Sequence, residues 1–192
     1  MAVREIVKIG HFALKTKNKP VKSFASAKTK KLLRDLRDTM RKNELVGIAA
    51  PQIGENYLVF LTEPRKTKYR PKENVDELRV FINPKIAQSS KQANIIYEGC
   101  GCVGNIFGPV KRSKKVTIEA LGAKGDKFQL TTDGLLARVI LHEMDHLQGI
   151  EFLQRIKDNQ KLVHTEHYKK YIRNSKRQKQ NSKITKLEYK KI

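Results

Sequence analysis

Asp133-Gly134-Leu135-Leu136-Ala137-Arg138-Val139-Ile140-Leu141-His142-Glu143-Met144-Asp145-His146-Leu147-Gln148-Gly149 is the stretch from which the rest of the chain can be read. Asp133 can cap a helix and Gly149 can stop one, so the spacing predicts a helix from about Gly134 to Gln148. Its apolar residues, Leu135, Leu136, Val139, Ile140, Met144 and Leu147, wrap most of the circumference. A helix apolar on most sides is expected to be buried. Within it, His142 and His146 stand four residues apart, on one face and a turn from each other, so both imidazoles can reach one metal ion. Glu143 falls beside such an ion, where it can take a proton from water. The bland alternative is a polar patch on a helix surface. Burying two imidazoles with the carboxylates of Glu143 and Asp145 is costly without partners, and a metal with its surrounding hydrogen bonds removes that cost.

Two histidines do not complete a catalytic site, which usually has three protein ligands and one open position. His11, His164 and His167 have no supporting pattern and are expected at the surface. Cys100 is better placed, because it follows Glu98-Gly99 and a glycine lets backbone approach another group closely. Cys100 and Cys102 are one residue apart, a spacing at which a disulfide would be strained. They are either two small buried hydrophobes or include a thiolate ligand, which requires a reducing compartment. If this stretch is extended, alternation turns Cys102 away from the face of Cys100.

Leu32, Leu33, Leu36 and Met40 are spaced for one face of a helix within residues 21–43, and that apolar stripe is expected to be core. Residues 47–54, punctuated by glycine and proline, read as a loop. Tyr57–Leu61 reads as a buried strand, residues 63–78 as a polar loop or insertion, and Arg79–Pro84 as a strand ended by its proline. Ile95–Tyr97 is a further strand. Val116–Leu121 and Phe128–Leu130 flank a turn at residues 122–126 and predict a hairpin. The expected fold class is α+β: antiparallel sheets around the buried His-Glu-x-x-His helix, with an N-terminal helix and a basic C-terminal helix and tail. The expected division is a catalytic domain at 1–155 and a basic C-terminal segment at 156–192, with a helix from Lys161 to about Arg177 and a tail after it.

The 192 residues suit one core with an appended tail. With 39% hydrophobic and 31% charged residues, the composition is not that of a disordered chain. No apolar run is long enough to span a membrane, and Met1–Lys8 has no apolar stretch or cleavage site of a secretory signal, so a soluble cytoplasmic protein is expected, as a monomer. A net charge of +22 favours a polyanionic partner, nucleic acid first, or is simply a solvated basic surface.

Three segments carry a family resemblance. Leu45-Val46-Gly47-Ile48-Ala49-Ala50-Pro51-Gln52 resembles the G-x-G-φ-A-A-P-Q loop of the peptide deformylases. Glu98-Gly99-Cys100-Gly101-Cys102 resembles their E-G-C-L-S. His142-Glu143-Met144-Asp145-His146-Leu147-Gln148-Gly149 closely matches H-E-x-D-H-L-x-G. Asn83-Pro84 and Gly134–Arg138 agree as well, and the resemblance covers about residues 3–155. It implies removal of the formyl group from the N-terminal methionine of new polypeptides. Cys100, His142 and His146 would hold one divalent metal, Fe²⁺ natively, with Zn²⁺ or Ni²⁺ as replacements. Glu143 would be general base and then general acid. The Gln52 side-chain amide and the backbone N–H of Gly101 would donate to the oxyanion. Val46, Ile96, Leu135 and Val139 are candidates for the methionine pocket, with Gly47 and Gly99 in its walls, although each is equally readable as ordinary core.

The sequence departs from the family pattern at Leu45, where a glycine is expected, and at Gly101-Cys102, where Leu-Ser is expected. Leu45 would put a side chain where peptide backbone passes and weaken or shift substrate binding. Gly101 keeps its backbone donor but adds flexibility. Two competing functions follow: a zinc peptidase using the same helix, or a catalytically weak deformylase-like protein that binds ribosome or RNA. The C-terminal residues 154–192 hold 13 Lys/Arg against 3 Asp/Glu, a segment that can present charge to RNA or simply be a solvated charged helix, and the resemblance to the deformylases implies contact with the ribosome.

Overall fold

Ser26 accepts a hydrogen bond from the Thr29 N–H at 3.1 Å and starts α1 (Ala27–Lys42). The stripe of Leu32, Leu36 and Met40 is buried against Ile48, Val59, Leu61 and Ile82. The structure is a computed structural model that describes residues 3–67, 70 and 74–192. Its six-stranded sheet runs β1 (Gly47–Ala49), β2 (Val59–Thr62), β3 (Arg79–Ser89), β6 (Lys115–Leu121), β7 (Lys127–Asp133), β9 (Leu187–Lys191). A three-stranded sheet runs β4 (Ala93–Gly99), β5 (Ile106–Ser113), β8 (Val163–His164). All of these strand pairs are antiparallel, as the α+β expectation requires.

Helix α2 (Gly134–Leu147) packs against β1, β2, β6 and β7 of the larger sheet and against β5 of the smaller. Leu136, Ala137 and Ile140 enter one cluster with Phe60, Phe81, Val116, Ile118 and Leu130. Phe60 and Phe81 stack within it at a centroid distance of 4.4 Å. His142, Glu143 and His146 therefore stand on a helix held from several directions, which fixes their positions to the packing of the core.

Several local expectations are corrected. Residues 47–49 are a strand and not loop, because they pair with Phe60–Thr62 before the chain turns at Ala50–Ile53. Pro84 does not end its strand. It sits where the register shifts between Ile82 and Lys85, a bulge in which no ladder N–H is required. Asn83 there takes φ +51° and ties the bend to Val21 with two hydrogen bonds of 2.9 Å. Of the expected 63–78 loop, residues 68, 69 and 71–73 lie outside the described residues.

The C-terminal segment is also different. Lys161 to Arg177 is not one helix: it forms β8, a short α3 (Thr165–His167) running into a π turn at Tyr168–Ile172, and the start of α4 (Lys176–Ser182). Ser175 starts that last helix afresh by accepting from the Gln178 N–H. The expected tail contains β9, which extends the larger sheet beyond β7. Asp133 occupies the cap position of α2, yet its side chain makes no cap bond. Its carboxylate accepts instead from the backbone N–H groups of Thr185 (2.7 Å) and Lys186 (2.9 Å). Among the described residues no helix is long and apolar enough to cross a membrane.

Candidate active site

The ligand atoms of Cys100, His142 and His146 all lie within 4.8 Å of one another. Cys100 Sγ and His146 Nε2 are 3.2 Å apart. Two ligands about 2.3 and 2.1 Å from one tetrahedral ion would sit roughly 3.6 Å apart, so this spacing is close to that of a shared metal. Burial, with the charges of His142 and Arg112 adding to it, pushes His146 well below the ordinary range. It is a neutral imidazole, the form that ligates. Contact with Cys102 and burial push the Cys100 thiol up. A cation would bring such a thiol down to the thiolate, so the donor set suits a metal. His11 stays in its own turn, accepting from the Ala13 N–H, and His164 and His167 are exposed.

His142 is oriented by Glu98, whose Oε2 lies 2.9 Å from His142 Nδ1, which leaves Nε2 for the ion. Glu98 is buried and also accepts from Arg112 Nε (2.8 Å), Arg112 Nη2 (3.0 Å) and Arg138 Nη1 (2.9 Å). Burial opposes its charge, but Arg112 and His142 outweigh that and hold the carboxyl well below the usual range. Arg112 continues to Asp145 Oδ2 at 2.6 Å, and Arg155 holds the other oxygen of Asp145 at 2.6 Å. The sequence pattern did not single out Arg112, Arg138 or Arg155. The signals for them were the two carboxylates, Glu98 and Asp145, in need of cations, and for Arg138 also its place in the matching stretch Gly134–Arg138.

Glu143 is buried beside the donors, and its Oε2 has no hydrogen-bond partner among the described residues. Burial pushes its carboxyl up to about 7, against the opposing pull of His142 and Arg112. A carboxyl there can exchange a proton near neutrality. Gly47 makes room for it: a Cβ on Gly47 would lie 2.5 Å from Glu143 Oε1 and 2.5 Å from Val139 Cγ1.

Gln52 is fixed by the Ala49 N–H, which donates to its Oε1 at 2.7 Å. That points its Nε2 at Cys100 Sγ (3.6 Å) and Cys102 Sγ (3.7 Å). Cys102 therefore does not turn away from Cys100. Residues 100–104 form a turn closed by the Val103 and Gly104 N–H groups on the Cys100 carbonyl, and the turn brings both sulfurs to one amide. Leu45 packs between two apolar clusters. Its Cδ1 would stand 3.7 Å from a Cβ on Gly101. The large side chain and the glycine have exchanged places relative to the family motifs, and Leu45 fills space beside the residue that lacks a side chain.

One cavity of about 1170 Å³ is lined by Gln52, Cys100, Gly101, His142 and Glu143. Val46, Ile96, Leu135 and Val139 line it too, as do Gly47 and Gly99. A Cβ on Gly99 would come within 2.8 Å of the Phe107 ring, so the glycine lets that ring lie against the wall.

The chain as a whole is similar to known proteins. The family model described as polypeptide deformylase matches residues 3–162. The chain belongs to the polypeptide deformylase family. Peptide deformylase 2 of Clostridium perfringens is 39% identical over 163 residues, covering 85% of this chain and 99% of the relative. The peptide deformylase of Dictyoglomus thermophilum is 38% identical over 153 residues, covering 80% and 92%. A class I type b peptide deformylase from Acinetobacter baumannii, solved with Met-Ala-Ser bound, superposes with TM-score 0.76 at 32% identity, covering 81% of this chain and all of that one. Deformylases are metal-dependent hydrolases, and the Cys100, His142 and His146 donors fit a divalent ion.

Proposed function

We propose that this chain removes the formyl group from the N-terminal formyl-methionine of newly made polypeptides. The observation that carries the reading is the convergence of the Cys100, His142 and His146 donors within 4.8 Å, with buried Glu143 beside them and the Gln52 amide aimed at Cys100. The three donors would hold one divalent ion, Fe²⁺ natively, which supplies the Lewis acidity that makes water nucleophilic at neutral pH. Glu143 accepts the proton from the attacking water and later delivers it to the leaving amine. Gln52 Nε2 and the Gly101 N–H donate to the oxygen of the formyl group as charge develops on it. Val46, Ile96, Leu135 and Val139 receive the methionine side chain. A thiolate beside Fe²⁺ is open to oxidation, which fits a reducing cytoplasm. A monomer suffices, since every proposed group comes from one chain.

The catalytic unit is assigned to residues 1–155, and the basic segment 156–192 is assigned contact with ribosomal RNA through its outward lysines. Lys157, Lys170 and Lys190 are exposed. Replacing them with glutamine should weaken co-sedimentation with ribosomes at low salt, and unchanged binding would remove this role.

Leu45 and Gly101 give a prediction of their own. Because Leu45 fills the space beside Gly101, Leu45→Gly should lower kcat/KM on a formyl-methionyl tripeptide by about 3- to 10-fold, and adding Gly101→Leu should recover it. A single variant that is faster than the native chain would show that Leu45 obstructs the peptide. Metal analysis with a formate-release assay under anaerobic conditions tests the overall reading: turnover without metal, or metal without turnover, would sink it.

A further inference from the structure

Residues 163–192 lie beyond the family match, which ends at residue 162. They are nevertheless built into the body. Val163 and His164 pair with Phe107 and Ile106 of β5. Tyr168 stacks on Phe107 with ring centroids 4.0 Å apart. Gln178 of α4 accepts from the Tyr97 N–H at 3.1 Å and donates to the Tyr97 carbonyl at 3.2 Å. Asn181 donates to the Ile95 carbonyl at 3.2 Å, and Asp133 grips residues 185 and 186.

This placement governs where a peptide can go. Backbone groups of alternate residues face the same edge of a strand. The α4 side chains bond the Ile95 carbonyl and both backbone groups of Tyr97 on the edge of β4 that is not paired with β5. Gly99 presents its N–H and C=O on that same edge, one rung nearer Cys100. An extended peptide that adds itself to β4 at Gly99 meets α4 about 7 Å further on, and has to leave along the helix.

The wall it meets is cationic. Residues 163–192 contribute nine residues to the cavity lining, and five are Lys or Arg: Lys169, Arg173, Lys176, Lys179 and Lys183. None of the nine is Asp or Glu. Arg70 lines the same cavity. Of the lining carboxylates among the described residues, Glu98 and Glu143 belong to the centre and Glu44 precedes β1. Among the described residues no carboxylate is within salt-bridge distance of Lys169, Lys176, Lys179 or Lys183. Charges of one sign around a concave, low-dielectric wall focus their field into it. The cavity leads to the metal centre, into which a chain end has to thread, so a peptide suits these lysines better than RNA.

We propose that the C-terminal segment is a specificity wall that favours formyl-methionyl peptides with acidic side chains at the third and fourth positions. The inference rests on the deformylase reading. Each exposed charge pair is weak, but several acting together should give about a 3- to 10-fold preference in kcat/KM.

The test compares formyl-Met-Ala-Glu-Glu with formyl-Met-Ala-Gln-Gln, both as C-terminal amides, on the full metal-loaded chain. The expected result is a higher kcat/KM for the acidic peptide at low salt. The preference should fall toward parity at about 1 M salt, where the screening length is about 3 Å. The combined variant Lys176→Gln, Lys179→Gln, Lys183→Gln should reduce the preference, and a control with Lys85→Gln, Lys124→Gln, Lys127→Gln should keep it. No preference, or one that survives the cavity variant, overturns the proposal. A cavity variant that keeps the preference but loses binding to a ribosomal RNA fragment assigns these lysines to RNA and overturns it too. Calorimetric binding of the unformylated Met-Ala-Glu-Glu and Met-Ala-Gln-Gln amides separates the two levels. If that binding shows the acidic preference while neither formylated peptide releases formate, the deformylase reading fails and the cationic wall stands.

Discussion

Glu143→Ala should lower kcat by about 10³-fold or more while the chain retains one metal ion, because the variant removes the proton acceptor and leaves Cys100, His142 and His146 in place. The size follows from the site. Gln52 donates a hydrogen bond but carries no base, and Glu98 is committed to Arg112, Arg138 and His142. No other carboxyl in the centre has both a raised pKa and an oxygen left without a partner among the described residues. Thermal stability should not fall, since the removed carboxylate is buried and works against folding when it is charged. Metal content by elemental analysis, the melting temperature and single-turnover formate release together check this. Retained turnover would remove Glu143 from the mechanism. Lost metal would make it a ligand and not a base.

Arg112→Ala should destabilise the fold by about 3–5 kcal/mol, the usual consequence of stripping a partner from buried charges. Arg112 is the only side chain that touches both Glu98 and Asp145 in the described structure, and it also donates to the Leu141 carbonyl of α2 at 3.2 Å. Arg138 and Arg155 remain on the two carboxylates and place the loss toward the lower end. A second effect should appear at the metal. Glu98 orients His142, so a Glu98 free to reorient should weaken metal affinity about 10- to 100-fold. Denaturant unfolding measures the first effect and competition with a chelator the second. A variant as stable as the native chain would mean that the network is replaceable. A destabilised variant with unchanged metal affinity would confine Arg112 to a structural role.

These two predictions also mark what was legible in the sequence. Glu143 was, because the helical period, the glycine stop and the two histidines all occur within one continuous stretch. Arg112 was not. The inward positions of β5 are Gly108, Val110 and Arg112, with Pro109 between them, so the strand shows neither apolar alternation nor an unbroken run. Its pattern becomes intelligible only once β4 brings Glu98 within hydrogen-bond reach of Arg112. The C-terminal strands were hidden for a related reason. Leu187–Lys191 is rich in charge and reads as a tail, and its order comes from pairing with β7, far away in sequence. Asp133 looked like a helix cap because its local context is that of one, but residues 185 and 186 take its carboxylate. The exchange of bulk between Leu45 and Gly101 was visible only as two separate departures from the family pattern, until the fold placed them side by side.

The central claim is that a metal held by Cys100, His142 and His146 serves formyl hydrolysis with Glu143 as the base. Formate release from formyl-Met-Ala-Ser by the anaerobically prepared Fe²⁺ form, run beside the same preparation after chelation, tests it most directly. The expected result is rapid formate release that disappears on chelation and returns when Fe²⁺ is restored, with no release of acetate from the acetyl-methionyl counterpart. Formate release that is indifferent to metal, or none from the loaded chain, would contradict it.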